Sequence, residues 1–161
     1  MSERKADAGK TTGDRAIHRR AHGDYRWDGV EQLPYKEDDR VLFKSITRQV
    51  LFSDPALNGE LRYFEMAAGG FSTLERHQHM HAVLILRGRG HCLIGHDVKS
   101  LETRDLVTVP PLTWHQFRAT KGEPLGFLCM VNAQRDKPQL PSAEDLERLK
   151  SDPAVAKFLS A

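Results

Sequence analysis

The sequence predicts an all-β fold, an antiparallel barrel or sandwich that ends in a short helical segment. Between residues 41 and 131, short runs of β-branched and aromatic residues recur at close spacing, with turn-forming residues between them. After residue 138 the pattern changes to that of short amphipathic helices. The 161 residues suffice for one domain with a hydrophobic core, and the formal net charge of +2 does not by itself suggest a nucleic-acid partner.

The first 25 residues are polar, basic and without hydrophobic periodicity, which predicts a disordered tail. No aromatic residue precedes Tyr25 to stack on bases, which argues against a nucleic-acid-binding arm. Residues 26–40 are expected to be irregular. We expect neither a signal peptide nor a membrane span, because no apolar stretch is long enough. Two cysteines, Cys92 and Cys129, do not form a disulfide framework, so a cytoplasmic protein is expected.

The barrel is predicted to occupy residues 26–138. Its strands are expected at 41–52 (one or two strands), 60–66, 74–86 (one strand or a pair of strands), 91–94, 98–101, 105–109, 114–118 and 125–131. The turn-forming run Gly95-His96-Asp97 predicts a tight hairpin between the strands at 91–94 and 98–101.

Residues 139–161 are predicted to form short helices packed on the barrel, or alternatively a dimer contact. Ser142 followed by acidic residues is typical of a helix N-cap and first turn. Pro153 is suited to start a second helix, with Val155, Phe158 and Leu159 on its buried side.

One stretch carries three histidines on alternate residues, His77, His79 and His81, with Glu75 two residues earlier. Alternate side chains of an extended strand point to one face, and imidazole and carboxylate are the usual ligands of Mn, Fe, Zn or Ni. In a flat strand, His77 and His81 would lie roughly 13 Å apart, too far to share one ion. A metal bound by both therefore requires a bend or bulge between residues 78 and 80.

The spacing of this stretch resembles the first motif of the cupin superfamily, Gly-x5-His-x-His-x3-Glu-x6-Gly. The motif aligns without gaps on Gly69, Glu75, His77, His81 and Gly88, with one His position and the Glu position exchanged. That resemblance implies a small antiparallel barrel, the double-stranded β-helix or jelly roll, with a metal inside.

A second cupin motif, Gly-Asp-x4-Pro-x-Gly-x2-His-x3-Asn, follows at the expected distance. It matches at Asp105, Pro110 and His115 and has lost its two glycines and its asparagine. The resemblance to the family covers about residues 40–132.

The resemblance implies that the metal ligands are Glu75, His77, His81 and His115. A set shifted by one strand step would be His77, His79 and His115, but it loses the register with the motif glycines. A third possibility is that these are ordinary strand residues and no metal binds.

Strand parity places His115 and Phe117 on one face, and in similar cupins the last strand sends inward the positions of Phe127 and Cys129. Phe117 and Phe127 are therefore predicted substrate contacts. Cys129 is either a small buried hydrophobic residue or a thiol that lines the metal cavity, where a nearby cation would favour the thiolate.

Three local segments, Leu-Glu-Arg-His-Gln-His-Met-His, Ile-Leu-Arg-Gly-Arg-Gly and Pro-Leu-Thr-Trp-His-Gln-Phe, are similar to a narrower group of bacterial cupins of methionine salvage. This similarity implies a manganese-dependent enzyme, with Fe, Ni or Zn as other possible metals. It would remove the methylthio group of 1-methylthio-xylulose 5-phosphate, transfer it to glutathione and leave 1-deoxy-xylulose 5-phosphate. Cys129 or glutathione would attack the sulfur, His79 would act as acid or base, and Arg62 is one possible contact for the phosphate.

Other cupin activities stay open at this point. A metal-dependent dioxygenase acting on a diketone or an aromatic is one alternative, because a metal in a dry barrel can also bind dioxygen. A non-catalytic cupin that binds a sugar or another ligand is a second. Neither reading involves a nucleic acid or a membrane, and family analogy predicts a homodimer.

Overall fold

The computed structural model describes residues 17–35 and 46–161. Within them the chain forms eleven β-strands and two α-helices. The strands are β1 (Ala21–His22), β2 (Arg26–Trp27), β3 (Leu33–Pro34), β4 (Ile46–Asp54), β5 (Gly59–Met66), β6 (His81–Arg87), β7 (Gly90–Ile94), β8 (Asp97–Leu101), β9 (Leu106–Val109), β10 (His115–Ala119) and β11 (Leu125–Asn132). The helices are α1 (Ala143–Lys150) and α2 (Pro153–Ser160), so the predicted all-β class with a helical C-terminus is confirmed.

Two antiparallel sheets form the barrel. The larger has the strand order β3-β4-β5-β11-β6-β9, and the smaller has the order β10-β7-β8. The core lies between them and includes Val83, Ile85 and Val109, which are fully buried, together with aromatic residues of β5, β10 and β11. In the larger sheet β11 lies between β5 and β6, and β9 lies beside β6, so these neighbours are not consecutive in sequence, as in the jelly roll implied by the cupin resemblance.

The alternation of side chains along the strands decides which residues enter the barrel. In β11, Cys129 is 2% exposed whereas its neighbour Met130 is 61% exposed. Cys129 pairs with Arg62 of β5 on one side and with Val83 of β6 on the other. Because paired residues in antiparallel strands share a face, these side chains point into the barrel together.

Of the strand or pair of strands predicted at 74–86, the structure forms only β6 as a regular strand, and it begins at His81. Residues 71–80 form no regular strand. Isolated β-bridges, among them Glu75 to His115 and Arg76 to Gln139, hold this segment in place. A bend at residues 78–79 separates His77 from β6. This is the bend that a metal site shared by His77 and His81 requires.

The N-terminal region also differs from the prediction, which was a disordered tail over residues 1–25 followed by irregular structure over residues 26–40. Strands β1 and β2 form a small hairpin, and β3 adds to the edge of the larger sheet through β4. The aromatic residues explain this order, because Tyr25 stacks on Tyr63 at 5.7 Å between ring centroids and Trp27 packs on the same ring at 5.2 Å. Residues 1–16 of the predicted tail and residues 41–45 of the first predicted strand lie outside the described residues.

The C-terminal helices begin where the sequence predicts. Ser142 forms a capping box with Asp145, and Asp152 caps α2, which has Pro153 at its start. Leu149 of α1 with Val155 and Phe158 of α2 pack into a second apolar cluster with two barrel residues, Leu74 and Leu93. The helices therefore support the segment that leads into Glu75. Within the described ranges, no helix has the length and apolar character needed to cross a membrane.

Candidate metal and thiol site

A cavity of about 370 Å³ opens inside the barrel. It is lined by inward-facing side chains of the sheets, by the irregular segment 72–79 and by residues that follow β11. These are Tyr35, Ile46, Arg48, Arg62, Phe64, Met66, Ser72, Thr73, Glu75, His77, His79, His81, His115, Phe117, Phe127, Cys129, Arg135, Asp136 and Pro138. All nine sequence-predicted site residues are among them.

Three imidazoles converge in this cavity. The ring centroids of His77, His81 and His115 are 4.8 to 5.1 Å apart, and one ligand atom of each lies within 4.8 Å of the others. The Nδ1 of His77 donates to the carbonyl of His79 at 2.6 Å, and the Nδ1 of His115 donates to the carbonyl of Thr113 at 2.9 Å. These bonds fix the ring orientations and leave each Nε2 as the available ligand atom.

His81 contributes the third imidazole from the start of β6. Its Nδ1 lies 3.3 Å from the Sγ of Cys129, and its buried Nε2 has no hydrogen-bond partner in the part of the chain that the structure describes. Burial, with the neighbouring His115, lowers the pKa of His81 to about 2, and burial beside His79 lowers the pKa of His77. Both rings are therefore neutral near pH 7, as metal ligation requires, and a cation would satisfy the unpaired nitrogen of His81.

Glu75 lies in the same cavity but outside this closest group of ligand atoms. Its backbone exchanges two hydrogen bonds with His115, at 3.2 and 3.0 Å. This bridge sets the position of both residues at the cavity wall. The structure thus brings three of the four predicted ligands together and leaves the carboxylate of Glu75 as a predicted fourth.

His79 has a different environment from the other three histidines. Its ring stacks on that of His77 at 3.6 Å, and its Nδ1 donates to Oδ1 of Asp136 at 2.6 Å. The same carboxylate accepts from the backbone N–H groups of Gln78, at 2.7 Å, and of His79, at 3.0 Å. These hydrogen bonds, the one from Gln78 above all, lower the pKa of Asp136.

Asp136 was not identified from the sequence. It follows β11 and lies 57 residues from His79, and only the fold brings the two together. One ligand atom each of His77, His79 and Asp136 also lie within 4.8 Å of one another, so this is a second, more exposed cluster. It shares His77 with the first and differs from the shifted set expected from the sequence, in which His115 stood in place of Asp136.

The thiol of Cys129 lies between an imidazole and a guanidinium. The Nη2 of Arg62 donates to its Sγ at 3.6 Å, and the Nδ1 of His81 lies 3.3 Å from the same sulfur. Burial raises the pKa of Cys129, and the charge of Arg62 opposes that effect. Arg62 is itself only 8% exposed, and its Nε lies 4.0 Å from Glu60.

Aromatic side chains close the cavity on the side facing the core. Phe127 stacks on Phe117 at 5.3 Å and on Phe64 at 5.6 Å between ring centroids. Phe117 and Phe127 are both buried at the cavity wall, where the sequence predicted substrate contacts. A small ligand in this cavity would meet an apolar wall on one side and imidazoles with a thiol on the other.

Known proteins resemble this chain in sequence and in fold. Residues 62–131 match the Cupin domain family Cupin_2. A 1-methylthio-D-xylulose 5-phosphate methylsulfurylase of Rhodospirillum rubrum is 62% identical over 135 residues, which are 84% of this chain and 86% of that protein.

Two solved structures show the same barrel. A cupin-2 domain from Rhodospirillum rubrum superposes with a TM-score of 0.81 at 59% identity, covering 88% of this chain and 95% of that one. A cupin 2 conserved barrel domain protein from Rhodopseudomonas palustris superposes with a TM-score of 0.84 at 53% identity, covering 88% and 98% of the two chains.

Proposed function

The chain belongs to the cupin family, and from that premise we propose that it is an enzyme that removes the methylthio group of 1-methylthio-D-xylulose 5-phosphate. The 62% identity to the methylsulfurylase supports this substrate. The observation that carries the chemistry is the thiol of Cys129, held 3.3 Å from His81 inside the cavity where three imidazoles meet. A thiol at that position can attack the sulfur of a substrate whose ketone lies beside the imidazoles.

We propose that His77, His81 and His115 hold one divalent metal, with Glu75 as a fourth ligand. Manganese is the metal expected from the narrower group of cupins, and three imidazoles with a carboxylate also suit Fe, Ni or Zn. When bound, such an ion supplies a Lewis acid that polarises the ketone and lowers the energy of the enolate.

The reaction that we propose is a transfer in two steps. The thiolate of Cys129 attacks the methylthio sulfur, the bond between that sulfur and C1 breaks, and its electron pair becomes the enolate of the sugar. Protonation at C1 gives 1-deoxy-D-xylulose 5-phosphate, and Cys129 is left as a mixed disulfide with methanethiol. Glutathione thiolate then takes the methylthio group and releases the thiolate of Cys129. Overall, the glutathione sulfur and the methylthio sulfur are oxidised to a disulfide, C1 is reduced to a methyl carbon, and the proton lost by the glutathione thiol is matched by the one gained at C1, so electrons and protons balance.

Other side chains of the cavity have roles in this proposal. Arg62 donates to the Sγ of Cys129 and so favours its thiolate. His79 is oriented by the hydrogen bond from its Nδ1 to Asp136, and in its imidazolium form it carries a second proton, on Nε2, that it delivers to C1. Phe117 and Phe127 form the wall against which the carbon chain of the substrate packs.

We also propose a homodimer located in the cytoplasm. On the outer face of the larger sheet, Phe52, Leu61, Met130 and Ala82 form a row across four strands. Phe52 is 46% exposed and Met130 is 61% exposed, and such an apolar surface suits contact with a second copy. Light scattering should give the mass of a dimer, and Met130→Asp should shift it to that of a monomer. Both cysteines are free thiols, which fits a reducing compartment that supplies glutathione.

The assay incubates the full-length protein, loaded with Mn²⁺, with 1-methylthio-D-xylulose 5-phosphate and glutathione. We expect 1-deoxy-D-xylulose 5-phosphate and the mixed disulfide of methanethiol and glutathione in equal amounts. Without glutathione, one methylthio group per chain should be trapped on Cys129, seen by mass spectrometry and removed by a reductant. Substrate consumption that requires dioxygen would replace this proposal with the dioxygenase alternative, and absence of any product would reject it.

A further inference from the structure

Guanidinium groups form one side of the cavity. Arg48 of β4, Arg62 of β5 and Arg135, which follows β11, all line it. Arg48 pairs across the sheet with Phe64, and the guanidinium of Arg62 lies 5.0 Å from that ring. Arg48 and Arg62 are therefore diagonal neighbours on the same inward face.

Two of these three cations are already engaged. Arg62 donates to Cys129 and lies 4.0 Å from Oε2 of Glu60, and Arg135 donates to the same oxygen at 2.8 Å. One carboxylate thus faces two guanidinium groups, so this side of the cavity keeps a positive charge.

Arg48 differs from the other two because no acidic residue pairs with it among the described residues. Within residues 17–35 and 46–161 its buried Nε has no hydrogen-bond partner, and its guanidinium carbon lies 5.7 Å from the ring centroid of Tyr35. A buried donor with no partner is costly, and a guanidinium with free N–H groups matches the oxygens of a phosphate better than any other side chain.

The position of Arg48 suits the end of a ligand far from the reacting sulfur. In the sheet order, β4 is three strands from β6, which carries His81, and strands are spaced by roughly 4.8 Å. The rings of Phe64 and Phe127 lie along the path between them. A linear sugar phosphate fits this layout with its ketone at the imidazoles and its phosphate at the arginines.

We propose that Arg48 binds the phosphate of the substrate, with Arg135 as the second contact, and that Arg62 serves the thiol instead. This inference rests on the proposed function for the identity of the sugar. It adds a phosphate subsite on β4, outside the two motifs that identify the family in the sequence.

The test measures binding rather than turnover. Full-length protein carrying its metal is titrated calorimetrically with D-xylulose 5-phosphate, with D-xylulose and with inorganic phosphate. Arg48→Gln and Arg48→Lys are compared with the wild type. Arg89→Gln is the matched control, because the Arg89 side chain is 70% exposed and forms its ion pair with Glu123, outside the cavity. Thermal melts establish that each variant is folded, and Arg48→Lys keeps the test informative if Arg48→Gln does not fold.

We expect Arg48→Gln to weaken binding of D-xylulose 5-phosphate by about tenfold to a hundredfold, because one charge-assisted contact is lost. The affinity for D-xylulose should stay nearly unchanged. Arg48→Lys should fall between wild type and Arg48→Gln, and Arg89→Gln should match the wild type. Equal binding of the phosphorylated sugar by wild type and Arg48→Gln, or an equal loss for both sugars, would overturn the subsite.

Failure of the two proposals can be told apart. Suppose that Arg48→Gln no longer binds D-xylulose 5-phosphate well and that the wild type does not act on 1-methylthio-D-xylulose 5-phosphate. The phosphate subsite then stands, and the proposed reaction is wrong. If the wild type turns that substrate over and Arg48→Gln does so with an unchanged KM, the reaction stands and the subsite is wrong.

Discussion

Acid should destabilise the metal-free protein because His81 is folded as a neutral imidazole. Burial and His115 lower its pKa to about 2, whereas an imidazole in the unfolded chain titrates near ~6.5. Below that value the unfolded state binds a proton that the folded state excludes, so stability falls as the pH drops between the two pKa values. From pH 7 to pH 5 the free energy of unfolding should decrease by about 2 kcal/mol through this residue alone, since each pH unit is worth about 1.4 kcal/mol.

The assay is urea unfolding in the presence of a chelator, followed by circular dichroism between pH 5 and pH 8. A loss of about 2 kcal/mol corresponds to a urea midpoint lower by roughly 1 M. His81→Leu removes the titrating group and should reduce the pH dependence, whereas the exposed His91→Gln should not. His77, whose pKa is also lowered, leaves a smaller residual dependence of the same sign. An identical pH dependence in wild type and His81→Leu would refute the argument.

Three further substitutions test separate parts of the structure. Cys129→Ser should lower turnover by about a thousandfold or more while metal content stays at the wild-type level; full activity would mean that glutathione attacks the substrate directly. Asp136→Asn should lower kcat by about tenfold or more, because it removes the hydrogen bond that orients His79. The metal content should stay at the wild-type level, and loss of the metal would instead place the ion at the second cluster, formed by His77, His79 and Asp136. Gly88→Ala should lower the free energy of unfolding by more than about 1–2 kcal/mol, which is the cost of a non-glycine residue in the left-handed conformation. The backbone at Gly88 has φ +72°, and the new Cβ would in addition lie 1.8 Å from a carbonyl oxygen. Gly122→Ala, with open space around it, should change the urea midpoint little, and equal midpoints for the two variants would contradict this packing.

Local signals in the sequence predicted much of the fold. The hairpin of β7 and β8 follows from its turn residues, α1 follows its predicted cap Ser142, and α2 starts at Pro153 as predicted. For residues 74–86 the sequence predicted one strand or a pair of strands, but periodicity cannot show that the isolated bridge from Glu75 to His115 replaces regular pairing before residue 81. Spacing alone did show that His77 and His81 could meet only across a bend, and the chain bends at residues 78–79.

The parts of the site that the sequence did not predict are those that depend on strand register. Arg48 belongs to a strand that was predicted, but its inward face follows only from its pairing with Phe64. Asp136 and Arg135 follow the last strand and reach the cavity only because β11 lies between β5 and β6. No local pattern distinguishes such residues from ordinary surface charges.

The most direct test of the metal centre is elemental analysis of protein purified without an affinity tag, combined with the same analysis of His81→Ala and His79→Ala. We predict one divalent ion per chain in the wild type, near-complete loss in His81→Ala and retention in His79→Ala. Wild-type protein without metal even after loading with Mn²⁺, or equal metal in wild type and His81→Ala, would contradict a centre built from His77, His81 and His115.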